Sequence, residues 1–513
     1  MLHAAKEPAG CRRDARPAVA VSALLGLVFA AAAGAQTPEP AREMTLSEVA
    51  SAAVESSRAV RDARLARSSA GYDLYVEEGR FVPTLLFGAS AGRDAFRLEG
   101  LDSGQAVEQF DDDRADVAAA LEWTAPTGAS LSWAWNRSRL DRELDLPATS
   151  DDRSREWGSA VALVQPLLRE GGIAVATAPL SIARLSDLQE ALAERSAIEG
   201  VVTTAILAAR AQVQAEESVR IAERSLASAR ELVETNQALI DAGRMARVDL
   251  VQSETEVARK EAALLAAENT RERSRLALLA VLDLERETPI EPRLDLAELD
   301  EVDLDLERLI GFAHEHRPDF LATLAAVEIS RLELLVARNA RLWNLDLVAA
   351  YGDASARPLG QAPEADTREK SWSVGLALGH RFGDRTRRRD WAQAKIADER
   401  TALALVEAEQ NLRLELTDRV RDIEVKRREV DLATRTRELA ERQLDIEGEK
   451  LRAGRSSNFQ YLSFEGQLVE ARNGELGARI AYQNAVSLLD RALGRVLDRW
   501  GLASPPEPEG GEP

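Results

Sequence analysis

The sequence predicts a mainly α-helical protein that also has membrane β-strands and is internally duplicated. Long segments show the three-and-four apolar spacing of a coiled coil. Between them lie segments in which large apolar residues alternate with small or polar ones, as they do in β-strands. The same order of helix, strands and long helices occurs twice, so both halves of the chain are expected to share one architecture.

The composition excludes some classes of protein. The 513 residues are 45% hydrophobic and 30% charged, but only 4% aromatic. This balance favours long helices over a compact enzyme domain. The formal net charge of -21 would repel nucleic acid on average. An acidic balance otherwise indicates only a solvated surface, unless part of that surface lines a pore.

Residues 1–35 have the three parts of a secretory signal peptide. Basic residues from Lys6 to Arg16 precede the apolar run Ala18 to Ala33, and small residues follow up to Ala35. No later segment reaches the roughly 20 apolar residues of a membrane-spanning helix. The only cysteine, Cys11, precedes the apolar run, so the mature chain is expected to have no thiol. We therefore expect an exported chain that enters a membrane, if at all, as strands.

The two repeats are predicted at 36–303 and 304–500, and each opens with a helical stretch, at Met44 and at Leu304. The strands and then the long helices are expected at 83–166 and 172–285 in the first repeat, and at 344–381 and 384–496 in the second. The final residues, 501–513, are rich in Pro, Glu and Gly and are expected to form a disordered tail.

The first long helix has a regular seam, because the residues that compose it are spaced alternately by three and four. The seam consists of Ile198, Val201, Ala205, Ala208, Gln212, Ala215, Val219, Ala222, Leu226, Ala229, Val233, Asn236 and Ile240. A helix from Ile173 to Ile240 would be on the order of 100 Å long at about 1.5 Å per residue. The second repeat continues the same apolar spacing at Leu416, Val420, Ile423 and Val430. A generic coiled coil would account for these helices if they stood alone.

Four strand segments are predicted between Pro83 and Gln165, and two between Asn344 and Arg381. Six of the eight tryptophans lie in or beside them, as the aromatic girdles of a membrane barrel would require: Trp123, Trp133, Trp135, Trp157, Trp343 and Trp372. Alternation alone also suits a soluble sandwich. Six strands cannot close a barrel and also bury their edges, so several chains would have to contribute.

The connections between strands are predicted to differ in length. Long acidic loops are expected at Asp94 to Asp113, Leu140 to Glu156 and Asp353 to Lys370, and a tight turn at Ala125-Pro126-Thr127-Gly128. Long loops on one side and short turns on the other are typical of outer-membrane barrels. The triplet Asp111-Asp112-Asp113 is expected to be solvated rather than to bind a cation.

We find no catalytic, cofactor-binding or metal-binding constellation in the sequence. His314 and His316 resemble a metal pair, but residues two apart do not share a helix face. No Cys/His cluster, phosphate-binding Gly loop or nucleophile motif is present. The expected protein is therefore not an enzyme and needs no cofactor or metal.

With these features in place, the sequence resembles the TolC-type outer-membrane efflux proteins over roughly Thr45 to Leu502. The resemblance rests on Leu46-Ser47-Glu48-Val49, Phe81-Val82-Pro83-Thr84, the strand-to-helix junction from Val164 to Gly172, the segment His316-Arg317-Pro318-Asp319-Phe320, and the turns at Gly243 and Gly454. Each motif is short, and their order, which occurs twice, makes the likeness specific.

The resemblance implies a homotrimer whose strands jointly form one outer-membrane β-barrel, continued through the periplasm by a long α-helical coiled-coil barrel. It further implies a passive exit duct for efflux or type I secretion. The implied partners are a periplasmic adaptor (membrane fusion protein) and an inner-membrane pump of the RND, ABC or MFS type. Members typically supply four strands per chain, so six indicate either an enlarged barrel or a hairpin lying elsewhere. The alternative is a soluble periplasmic coiled-coil scaffold.

The two Gly turns are expected to form the periplasmic tip, because Gly suits a chain reversal. The residues expected to dock the adaptor are Ala242, Gly243, Arg244, Ala453, Gly454 and Arg455. The aperture is expected to involve Arg247, Asp249, Gln460 and Ser463. Family members can have an Asp pair just after the second turn, where this chain has Gln460 and Ser463. In the simpler interpretation the glycines only make turns and the arginines are solvated.

Overall fold

The computed structural model describes residues 42–98, 108–144, 152–242, 247–294, 301–359, 366–453 and 455–502. The predicted signal peptide at 1–35 lies outside these ranges, as does the predicted tail beyond Leu502.

Among the described residues, eight strands form two sheets. The strands are β1 (Arg42–Thr45), β2 (Thr84–Leu98), β3 (Glu108–Thr124), β4 (Ser130–Leu144), β5 (Asp152–Pro166), β6 (Ile290–Arg293), β7 (Asn344–Leu359) and β8 (Thr367–Gly379). β1 and β6 pair in parallel. The other six form one sheet in the order β2-β3-β4-β5-β7-β8, and every neighbouring pair is antiparallel. The predicted six strand segments are therefore all present, and all belong to one sheet.

Ten helices account for most of the remaining described residues. They are α1 (Leu46–Ser56), α2 (Arg58–Gly79), α3 (Ile173–Ala176), α4 (Ala178–Asp241), α5 (Arg247–Val281), α6 (Leu306–His316), α7 (Pro318–Asn339), α8 (Arg385–Arg452), α9 (Asn458–Leu493) and α10 (Val496–Trp500). α4 packs against α5 and α8 against α9, which gives two long helical hairpins. At about 1.5 Å per residue, α4 and α8 are each roughly 100 Å long.

The predicted seam of α4 is confirmed by burial. Eight of its thirteen members are buried and the other five are half-buried. Leu416, Ile423 and Val430 are buried in α8 in the same way. The continuous helix begins at Ala178 rather than at Ile173, because Pro179 lies in its first turn, where the missing N–H of proline costs nothing.

Two apolar cores join the hairpins to the shorter helices. One is formed by α1, α4, the end of α5, β1, β6 and α10, with Val49 and Leu282 fully buried. The other is formed by α6, the start of α7, α8 and α9, with Leu416 and Leu489 fully buried. α7 also packs against both α4 and α8 and so bridges the two long hairpins.

The predicted long acidic loops are wrong in length. They are shorter than predicted, because the strands continue into them. β3 contains the whole Asp111 to Asp113 triplet, and β7 extends to Leu359. Cross-strand ion pairs explain the extension. Arg93 forms two hydrogen bonds of 2.6 Å with Asp113, and the Arg368 to Asp353 pair spans 2.8 Å. Paired charges on adjacent strands favour continued pairing where an apolar pattern no longer does.

Gly494 ends α9 in a position that an alanine cannot occupy without strain. Its φ is +73°, and an added Cβ would lie 2.6 Å from the backbone oxygen of His316. Gly501 also has a positive φ, +64°, but a Cβ added there would have no atom within 4 Å. We expect Gly494→Ala to destabilise the fold by at least about 1 kcal/mol more than Gly501→Ala, since both share the left-handed cost and only the first adds a clash. Thermal unfolding of both variants measures the difference, and equal midpoints would contradict the contact.

Candidate functional site

One face of the six-stranded sheet is apolar across its full width. A single row of cross-strand neighbours contains Leu85, Leu121, Trp133, Val161, Tyr351 and Trp372. On β8 the same face continues with Val374, Leu376 and Leu378, and these three side chains and Trp372 are 64% to 79% exposed. A sheet face of this size that is left exposed marks a surface for lipid or for another protein.

The opposite face has small and polar side chains. On β8 it presents Ser371, Ser373, Gly375 and Ala377, and on β4 it presents Ser130, Ser132, Ala134 and Asn136. The alternation along β4 and β8 therefore separates an apolar face from a face that water can wet. This division is the one that a membrane barrel shows between its lipid side and its lumen.

The apolar face has a limited height. On β8 the four alternate apolar positions from Trp372 to Leu378 extend about 20 Å at roughly 3.3 Å per residue. The face ends at Lys370 on β8 and at Arg93 on β2. Beyond this boundary the strands carry the ion pairs described above, so the sheet passes from an apolar band to a charged end.

Aromatic side chains cluster at the helix end of the sheet. The ring of Trp343 stacks on His380 with centroids 4.5 Å apart, and His380 contacts Phe382 at 4.8 Å. The indole N–H of Trp123 donates to the Phe81 carbonyl over 2.9 Å. Half-exposed aromatic residues at the edge of an apolar band suit a membrane–water interface.

The predicted tight turn lies at the same helix end. The N–H of Gly128 donates to the carbonyl of Ala125 over 2.9 Å, and Gly128 has φ +87°. The N–H of Gly172, at the strand-to-helix junction, donates to the Thr127 carbonyl over 3.2 Å. The β3–β4 turn is thus joined to the start of the first long hairpin.

Of the predicted tip residues, those that the structure describes lie at the far ends of the hairpins. Gly243, Arg244 and Gly454 lie outside the described residues, as does the side chain of Asp249. The remaining predicted docking and aperture residues are all exposed on the single chain: Ala242, Ala453, Arg455, Arg247, Gln460 and Ser463.

A buried carboxylate secures the second turn. Glu447 accepts hydrogen bonds from Ser456 and from Lys450, the latter over 3.0 Å. These two contacts hold the pKa of Glu447 below its ordinary value. The N–H of Arg455 also donates to the Lys450 carbonyl over 2.8 Å, so the backbone on both sides of the turn is fixed.

A buried polar cluster near the tips is a feature that the sequence patterns did not reveal. Glu465 of α9 accepts hydrogen bonds from Ser225 of α4, over 2.5 Å, and from Lys260 of α5, over 2.7 Å. Lys260 and Glu465 are only 12% and 9% exposed. The cluster ties α9, which belongs to the second hairpin, to both helices of the first.

A second polar contact lies nearer the tips. Asn236 of α4 donates to Ser253 of α5 over 2.8 Å, and both side chains are almost fully buried beside Asn458 of α9. Asn236 occupies a seam position in the sequence, and a polar residue in a seam is the signal that could have identified this layer.

A buried carboxylate also lies between the two apolar cores. Glu199 is 3% exposed and accepts a hydrogen bond from Arg195 over 3.2 Å. It borders a cavity of about 310 Å³ lined by Arg317, Asp319 and Glu415, among others. Burial raises the pKa of Glu199 from 4.5 to about 7, although Arg195 acts in the opposite direction.

Stability is therefore expected to depend on pH through Glu199. Between pH of about 4.5 and about 7 the unfolded chain has lost this proton while the folded chain retains it, so the free energy of unfolding falls as pH rises. The total change is about 3 kcal/mol, and above pH 7 it levels off. We expect Glu199→Gln to flatten this slope, and Glu223→Gln, on the exposed side of α4, to leave it unchanged. Thermal unfolding midpoints at pH 5 and pH 8 measure this dependence for each variant. If Glu199→Gln and Glu223→Gln had the same pH dependence, Glu199 would not be its source.

The two histidines of the apparent metal pair have separate aromatic partners. His316 stacks on Phe312 with centroids 4.0 Å apart, and His314 stacks on Phe320 at 4.8 Å. Within the part of the chain that the structure describes, no group of three His, Cys, Asp or Glu residues is placed to hold a metal ion. Of the helices in these ranges, none combines the length and the apolar character needed to cross a membrane.

Comparison with known proteins agrees with this geometry. Residues 309–495 match the family model described as outer membrane efflux protein. A search of curated proteins finds no match. The match is with a family of channel proteins rather than of enzymes.

Solved structures of similar fold cover most of the chain. A membrane protein from Pseudomonas aeruginosa is 18% identical with a TM-score of 0.63, and the match covers 88% of this chain and 90% of that one. The Campylobacter jejuni CmeC outer membrane channel is 16% identical with a TM-score of 0.59, covering 88% and 85%. The Neisseria gonorrhoeae MtrE outer membrane channel in its open state is 17% identical with a TM-score of 0.62, covering 88% and 89%.

The mainly α fold with a β-sheet is thus the fold of these channels, and the outer-membrane location predicted from the sequence agrees with the matched family. The predicted resemblance to the TolC-type outer-membrane efflux proteins is confirmed, by sequence over residues 309–495 and by fold over 88% of the chain.

Proposed function

We propose that this chain is the outer-membrane exit channel of a tripartite efflux or type I secretion system. The observation that carries the proposal is the apolar face across all six strands, joined at one end of the sheet to two helical hairpins whose longer helices, α4 and α8, are each roughly 100 Å long. Such a face suits lipid, while hairpins of this length suit a duct that leads away from the membrane. The chain acts as a passive conduit and uses no energy itself.

Three copies would make one channel. The sheet has too few strands to enclose a pore alone, and the exposed tips would meet a periplasmic adaptor. That adaptor would connect the channel to an inner-membrane pump of the RND, ABC or MFS type. The cargo would then pass from the pump to the outside without entering the periplasm freely.

Fractionation followed by crosslinking tests the assembly. Sucrose-gradient separation of cell envelopes should recover the chain with the outer membrane, and a short amine-reactive crosslinker should then give a trimer. Recovery as a periplasmic monomer that needs no detergent would contradict the proposal and favour a soluble coiled-coil scaffold.

The tip variants test the proposed aperture. In this proposal, Arg247 and Asp249 take part in polar links that hold neighbouring hairpins closed at the aperture. We expect Arg247→Ala and Asp249→Ala to raise single-channel conductance, because an exposed polar link is worth about 1 kcal/mol and three copies would act together. Planar-bilayer recordings measure the effect, with Arg273→Ala on the same helix but far from the tip as a control. Unchanged conductance in both tip variants would leave the tips only a turn or docking role.

A further inference from the structure

The six-stranded sheet has two open edges. β2 pairs only with β3, and β8 pairs only with β7, among the residues that the structure describes. Each edge therefore presents a row of backbone N–H and C=O groups that a further strand could use. Both edge strands are long, with 15 residues in β2 and 13 in β8.

The strand directions allow a second copy to continue the sheet. All five pairings are antiparallel, so the first and the sixth strand run in opposite directions. β8 of one copy beside β2 of another would thus extend the antiparallel order without a break. An odd number of strands would have placed parallel strands at this junction.

The strand ends and the apolar stretches of β2 and β8 agree on one register for that junction. Aligning the helix ends of both strands sets Gly379 opposite Thr84. Aligning the two apolar stretches sets Trp372 to Leu378 opposite Ala91 to Leu85, which is the same register. In this register the apolar row from Trp372 to Leu378 stays on the same face as Leu85 and Phe87, and Leu376 lies opposite Phe87. A shift by one residue would put them on opposite faces.

We propose that β8 pairs antiparallel with β2 of a neighbouring copy, with Gly379 opposite Thr84, and that three copies close a barrel of eighteen strands. The number of copies rests on the proposed function, whereas the pairing rests on the two edges. Closure within one chain is excluded because the smallest membrane barrels have eight strands. The barrel is larger than the twelve strands that four per chain would give.

The larger barrel has a consequence for the pore. Barrels of 16 to 18 strands leave an aqueous channel, whereas small ones are filled by side chains. At the junction the inner face would bring Gly88 opposite Gly375 and Ser90 opposite Ser373. These small residues keep the lumen wide at the seam between copies.

Cysteine crosslinking at the junction tests the pairing. The double variant Ser90→Cys, Ser373→Cys is made in a Cys11→Ser background. It should oxidise to covalent dimers and trimers, because Ser90 of one copy would lie opposite Ser373 of the next. Two control pairs define the expected positive and negative results. Ala350→Cys with Ser373→Cys should link only within a chain, since β7 and β8 already pair these positions. Ser90→Cys with Ala377→Cys should not link, because these positions would be four residues out of register.

The outcomes separate this proposal from the proposed function. A trimer that is recovered from the outer membrane but forms no link between Ser90→Cys and Ser373→Cys overturns the pairing and leaves the channel intact. A link confined to monomers shows closure within one chain and also overturns it. If the unsubstituted chain neither forms a trimer nor is recovered with the outer membrane, both the pairing and the proposed function are overturned.

Discussion

Replacing Lys260 with methionine is expected to destabilise the contact between the two hairpins by about 3 to 5 kcal/mol. The substitution keeps the length of the side chain but leaves the Glu465 carboxylate buried without its cation. Glu256, which lies 3.7 Å from the same ammonium group, loses that charge as well. Because the cluster joins α9 to α4 and α5, we expect faster amide exchange in α9 near Glu465 and a higher single-channel conductance.

Two controls isolate the buried pair. Arg230 and Glu261 join α4 and α5 over 2.7 Å but are 60% and 52% exposed, so Arg230→Met should cost no more than about 1 kcal/mol. The double variant Lys260→Met, Glu465→Leu removes both charges and should recover most of the loss. If Arg230→Met and Lys260→Met had equal effects on exchange and unfolding, the cluster would have no special role.

A lysine at Leu376 is expected to prevent assembly in the outer membrane. Leu376 is 67% exposed on the apolar face, and a lysine facing lipid near the middle of the band costs about 2 to 4 kcal/mol per chain. In the proposed trimer every copy would bear this cost. We expect a large loss of chain from the outer-membrane fraction, with the protein degraded or recovered as aggregate.

The neighbouring residue provides the matched control. Ala377 lies one position away on the opposite face of β8, so Ala377→Lys should face water and leave assembly intact. Quantitative blotting of sucrose-gradient fractions compares the two variants. Equal recovery would show that the apolar face does not contact lipid.

The sequence predicted those parts of the fold that depend on local periodicity. The seam from Ile198 to Ile240 repeats every three and four residues, which only a helix buried along one stripe can use. The strands were predictable because residues such as Leu131, Trp133 and Trp135 alternate with small or polar ones. Their common sheet was not, since periodicity does not determine which strands pair.

The parts that could not be predicted depend on contacts between distant residues. Asp111 to Asp113 looked like a loop because the triplet lacks an apolar pattern, yet Arg93 on the neighbouring strand pairs with Asp113. Glu465 and Lys260 are 205 residues apart in sequence and meet only when α9 packs beside α5. Charged side chains are abundant on these helices, mostly glutamate and arginine, so periodicity alone does not distinguish a buried pair from solvated ones.

Whether the chain forms a passive pore can be measured by single-channel recording of the purified protein in planar lipid bilayers. We expect discrete, reproducible conductance steps in the absence of nucleotide or any other energy source, because a passive channel needs none. The same preparation should give larger steps after Lys260→Met. A preparation that remains trimeric in detergent but produces no conductance steps, with or without the substitution, would contradict the proposed channel.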